Sequence, residues 1–96
     1  VDALPVILRL CKGTLMGGGP WKLAQDTAAE IRLEGADVVA VHPDTDEYGI
    51  GKSQTEAVTD LLVSLAEYLV VLERRKERLA PRERRDLEIL TLLLEK

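Results

Sequence analysis

An α+β fold is predicted, in which a small antiparallel sheet of about three strands packs on one long α-helix and a short C-terminal helix follows. Three observations predict it. Ala29, Ile31 and Leu33 alternate with Glu30, Arg32 and Glu34, the period of a half-buried strand. Val38-Val39-Ala40-Val41 follows a short Gly-containing turn, so the two segments read as a hairpin. Ser53-Gln54-Thr55-Glu56 then opens a long stretch with apolar residues at helical spacing.

Taken in order, residues 1–20 read as a flexible N-terminal segment. Val6 to Leu10 is rich in β-formers and suits an edge strand, and Gly17-Gly18-Gly19-Pro20 interrupts the chain. The glycine run is not a phosphate loop, because no Lys-Ser/Thr follows at the required spacing. Trp21, the only tryptophan, is expected to anchor this segment to the core. Residues 21–80 form the expected α+β domain. Pro43 ends the second strand because it has no N–H for a ladder. Tyr48 and Ile50, alternating with Gly49 and Gly51, suggest a short third strand closely approached by other backbone. In the capping box, Ser53 should accept from the Glu56 N–H and Glu56 should reach back to the Ser53 N–H. The helix should continue to about Leu79, where Pro81 stops it, and residues 81–96 form the terminal helix.

At about 100° per residue the long helix has three sectors. Ala57, Val58, Leu61, Leu62, Leu65, Tyr68, Leu69 and Leu72 form the stripe that lies on the sheet. Glu56, Asp60, Ser64 and Glu67 face solvent. Thr59, Val63, Ala66 and Val70 make a further strip that one small sheet does not cover. Val63, Ala66 and Val70 are therefore expected at a helix–helix contact, with the terminal helix or with another subunit. The terminal helix carries Leu87, Leu90 and Leu94 on one side, widened by Ile89, Leu92 and Leu93. Leu90 and Leu94 join Val63, Ala66 and Val70 as the expected partner surface, and a dimer or higher homo-oligomer is the expected state.

Composition bounds the chemistry. The 96 residues make one domain with an aliphatic core, since aromatics are 3% and Phe is absent. A chain of this length buries about 60–70% of its unfolded surface, so association would add appreciably to its stability. One cysteine, Cys11, excludes an internal disulfide and a multi-cysteine zinc site. No apolar run reaches the roughly 20 residues of a membrane span, and no complete signal peptide is evident, so no membrane is expected and the expected location is cytoplasmic. His42, with Asp44, Asp46 and Glu47 close by, is the one place to seek a metal or an acid–base pair. One histidine beside an acidic turn fixes no geometry, and the segment reads as a solvated connector. No nucleophile is placed beside His42 for a triad. No catalytic residue, metal or cofactor is expected.

Charge is uneven. The net charge is −4, yet Arg74 to Asp86 holds seven basic and three acidic residues. Arg74, Arg75, Arg78, Arg82 and Arg85 are the residues that would contact a nucleic acid, although no aromatic residues are interleaved for base stacking. The same cations also complement the negative end of a helix.

Val38-Val39-Ala40-Val41-His42-Pro43, Tyr48-Gly49-Ile50-Gly51-Lys52-Ser53 and Thr55-Glu56-Ala57 before a Leu-rich helix together resemble the HicB-like antitoxin family. Ala40, Pro43 and Asp44 match one part of its pattern, Gly51, Ser53, Glu56 and Ala57 a second, and Tyr68-Leu69 a third. The resemblance covers about residues 27–72. It implies a partial, non-catalytic RNase H-like fold, oligomerisation, and steric neutralisation of a small mRNA-cleaving toxin. Thr45-Asp46-Glu47-Tyr48 stands where that family usually has a Leu-Pro-Gly turn. The stretch after Leu79 reads as a helix rather than the DNA-binding domain that many relatives carry.

Overall fold

A computed structural model of the chain describes residues 6–16 and 19–96. Gly17 and Gly18 of the glycine run lie outside the described residues. The elements in order are β1 (Val6–Leu10), β2 (Lys22–Leu23), β3 (Thr27–Glu34), β4 (Asp37–Val41), β5 (Tyr48–Gly51), α1 (Gln54–Arg74), α2 (Pro81–Leu93) and β6 (Leu94–Glu95). The architecture is α+β, with an antiparallel four-stranded sheet in the order β1-β3-β4-β5 on the long helix α1. In the β3–β4 hairpin Glu34 pairs with Asp37, leaving only Gly35 and Ala36 in the turn. Gly35 has φ +63°, a conformation that glycine adopts without steric cost.

Three strands exceed the expected three, β1 within the sheet and β2 and β6 beside it. β1 pairs with β3, from Val6 opposite Ile31 to Leu10 opposite Thr27, so residues 6–10 form the edge strand that their β-formers suit. β2 pairs with β6, Lys22 opposite Glu95 and Leu23 opposite Leu94. The terminal segment is thus a helix that ends at Leu93 and continues as a strand. Its own carbonyl at Leu93 also accepts the Ala24 N–H at 2.7 Å.

Side-chain alternation sets the core. Ala29, Ile31 and Ala40 are buried on the sheet face toward α1, against Ala57, Leu61, Leu62, Leu65, Leu69 and Leu72. Leu33 shares the parity of Ile31 but is 78% exposed, near the end of β3. α1 and β5 are in close contact. A Cβ added to Gly49 would lie 2.2 Å from the Leu61 N and 2.4 Å from the Ala57 O. One added to Gly51 would lie 2.4 Å from the Glu56 Cβ. The glycines expected to meet other backbone do meet it, and that backbone is the helix.

The start of α1 is capped on both sides with one change of partner. The Ser53 hydroxyl accepts from the Glu56 N–H at 3.2 Å, but the Glu56 carboxylate accepts from the Lys52 N–H at 2.7 Å, not from Ser53. Asp60 reaches the strand edge as well, accepting the Ile50 N–H at 2.9 Å. α1 ends at Arg74, five residues before the expected stop. Arg74 to Arg78 concentrate like charge, and Leu79 turns inward to a buried position, which draws the chain out of the helix before Pro81 starts α2.

Candidate interaction site

His42 ends β4, and its side chain is turned inward. It is 1% exposed, with Nδ1 2.8 Å from the Thr45 hydroxyl and Nε2 3.2 Å from the Thr27 hydroxyl. The expected solvated connector is therefore half buried: His42 and Thr45 are enclosed, while Asp44 and Asp46 are exposed. Two hydrogen bonds close this turn, from the His42 N–H to the Glu47 carbonyl and from the Asp46 N–H to the His42 carbonyl, both 2.8 Å. Threonine hydroxyls donate or accept as needed, so a neutral imidazole is satisfied at both nitrogens. Burial lowers the His42 pKa below its ordinary 6.5, against the opposing pull of Asp44 and Asp86.

A second buried polar contact lies between the helices. Asp86 is 3% exposed and its Oδ2 accepts the Tyr68 hydroxyl at 2.6 Å. Burial, then the Asp86 carboxylate, raises the Tyr68 pKa. Burial, then Asp86, likewise raises that of Glu47. The Tyr68–Asp86 bond joins α1 and α2. Among the described residues, no group of three or more His, Cys, Asp and Glu side chains is arranged to hold a metal ion. His42, Asp44 and Asp46 form no such group: His42 bonds threonines, and Asp46 pairs with Arg82 at 2.6 Å.

An apolar opening on the surface lies beside α1. Val63, Ala66, Val70 and Val71 form one side of an apolar groove, and Met16, Pro20 and Trp21 form the other, with Glu67 at its margin. Its volume is about 480 Å³. Trp21 is half-buried against the core, as expected of an anchor, and the Lys96 ammonium lies 5.0 Å from its ring centroid. The three helix residues expected at a contact are thus together on one face, but the terminal helix does not line the groove with them. Leu90 and Leu94 are corrected: both are buried in the chain's own core, so neither is available to a partner. The buried side of α2 is Asp86, Leu90 and Leu93, with Leu87 and Ile89 half-buried and Leu92 69% exposed.

Arg74, Arg75, Arg78 and Arg85 are exposed around the α1–α2 turn, together with Lys76 and Arg84. Among the described residues none of these six cations makes a salt bridge, whereas Arg82 is held by Asp46. Glu83 is occupied locally, its carboxylate accepting the Ala80 N–H at 3.1 Å at the start of α2.

The loop wall of the groove and the Tyr68–Asp86 contact were not expected from the sequence. Asp86 carried a signal, falling four and seven residues before Leu90 and Leu93 and so on the apolar side of α2. Met16 and Pro20 carried none, because their place beside α1 depends on residues far apart in the chain. No protein-family model, no curated protein and no solved structure matches the chain. No helix among the described residues is long and apolar enough to cross a membrane.

Proposed function

We propose that this chain is a non-catalytic interaction protein of the HicB antitoxin type, which acts in the cytoplasm by binding a small mRNA-cleaving toxin and by associating with itself. The observation that carries the interaction reading is the open apolar groove along Val63, Ala66 and Val70. An apolar channel on so small a domain, beside a helix whose other face is already packed, suits a protein partner. The antitoxin part rests on the resemblance across Val38 to Ala57 and Tyr68-Leu69, which β4, β5 and α1 carry. Neutralisation would be steric, with the partner's active surface covered. Co-expression with the product of a small basic reading frame adjoining this gene tests it. Rescue of growth and co-purification of the two chains are expected. Toxicity unrelieved by this chain, with no complex recovered, would overturn it.

A second reading is favoured by the six cations at and beside the α1–α2 turn that make no salt bridge among the described residues. They would contact phosphates of a nucleic acid, with affinity falling steeply as salt rises. Titration of a labelled duplex and a labelled single strand at low salt tests this, and no binding to either would dismiss it.

A further inference from the structure

We infer that the α1–α2 turn holds the sugar–phosphate backbone of a double-stranded nucleic acid, without preference for its sequence. This deepens the second reading above and rests on it. Arg74 is the last residue of α1, Arg75 caps it, Lys76 and Arg78 lie in the turn, and Arg84 and Arg85 follow in α2. All six are exposed and make no salt bridge among the described residues. Two recesses open at the turn, one lined by residues 73–78 and the other by Leu79, Pro81, Arg84, Arg85 and Glu88. Five of the six cations are arginines, whose planar fork matches two phosphate oxygens at once. The whole chain is at −4, so the excess of positive charge between Arg74 and Asp86 leaves the rest strongly acidic. A polyanion is repelled by most of the surface and received at this turn.

The chemistry around the cations selects the kind of polyanion. Residues 73–88 hold no aromatic residue and no Asn, Gln, Ser, Thr or His. Single-strand sites gain much of their affinity from bases stacked on aromatic rings, which this surface lacks. Reading of base edges draws on amide and hydroxyl side chains besides arginine, and those are missing too. What remains is attraction to phosphates, which is stronger for the denser charge of a duplex and alike for every sequence. A lipid surface also offers phosphates, but proteins that lie on it insert apolar side chains as well. Here Leu79 is buried and Leu87 half-buried, so no large aliphatic or aromatic side chain stands out among the cations. Glu73, Glu77 and Glu88 are exposed beside them and oppose the phosphates. The affinity therefore falls in the range of non-specific binding, roughly 10⁻⁴ to 10⁻⁶ M near physiological salt.

Fluorescence anisotropy of the full chain tests this with two labelled duplexes of equal length and unrelated sequence, and with one strand of each alone. Co-sedimentation with vesicles of equal parts phosphatidylserine and phosphatidylcholine tests the lipid surface. The duplexes are expected to bind within about twofold of each other, and each about threefold or more tightly than its single strand. The vesicles are expected to capture nothing. Arg78→Ala, Arg84→Ala and Arg85→Ala combined should weaken both duplexes equally, by about tenfold or more, and flatten the salt dependence by about one phosphate contact per cation removed. Circular dichroism and Tm should stay those of the parent, since all three side chains are exposed. A single strand bound as tightly as its duplex, or one duplex preferred about tenfold, would overturn the inference and leave the nucleic-acid reading standing. Capture by the vesicles would likewise overturn the choice of a duplex over a lipid surface. A triple variant that binds as the parent does, or no binding to any nucleic acid, would overturn both.

Discussion

The two apolar sides of α1 differ in how closely they are filled. Toward β5 the helix backbone approaches so near that a methyl group at Gly49 would fall 2.2 Å from the Leu61 N. Toward Trp21 the same helix borders a groove of about 480 Å³. The first side is completed within the chain and decides whether the chain folds. The second is left open and decides what the folded chain meets. Substitutions on the two sides should therefore separate stability from association.

Gly49→Ala should have the largest effect, since the contacts are to backbone that cannot swing aside. A loss of about 3 kcal/mol or more is expected in denaturant unfolding, because overpacking forces the helix off the strand. An unchanged midpoint would show that α1 and β5 are less tightly joined than described. Tyr68→Phe comes next. It removes the hydroxyl that bonds the buried Asp86 carboxylate at 2.6 Å, and should cost about 1–3 kcal/mol. Its loss should appear chiefly as release of α2 from α1, read as faster amide exchange across residues 81–93.

His42 gives a smaller, pH-dependent effect. Its folded pKa lies below its ordinary 6.5, so the unfolded chain binds the proton more readily. The stability it contributes is present above about pH 6.5 and is lost as pH falls through the lower folded value. Glu47 works in the opposite direction, because its raised pKa means that stability present below its ordinary range is lost as pH rises through the folded value. His42→Gln should therefore flatten the fall of Tm between pH 7 and 5, and an equal slope in both proteins would remove His42 as its cause. Val63→Lys should change monomer unfolding least, by about 1 kcal/mol or less, since the position borders the groove rather than the core.

The elements with strong local signals were legible. The β3 alternation as far as Ile31, the Ser53 hydroxyl cap and the α1 stripe from Ala57 to Leu72 stand where pattern and capping chemistry place them. Two kinds of feature were not. One depends on long-range pairing: β1 on β3, β2 on β6, and the groove wall of Met16, Pro20 and Trp21 join residues far apart in the chain. The other depends on burial of polar groups, which short-range pattern assigns to solvent. His42, Thr45 and Asp86 are enclosed because threonine, backbone and tyrosine partners satisfy them. Val63, Ala66 and Val70 were visible as a strip from spacing alone. Leu90 and Leu94 were not separable from them, because periodicity marks apolar faces without saying whether the same chain covers them.

Sedimentation equilibrium across a wide range of protein concentration tests the open side of α1 most directly. The parent chain should pass from its monomer mass of 10.6 kDa to twice that as concentration rises, and Val63→Lys should remain monomeric while unfolding as the parent does. A parent that stays at the monomer mass throughout, or a Val63→Lys variant that dimerises as readily, would contradict the account.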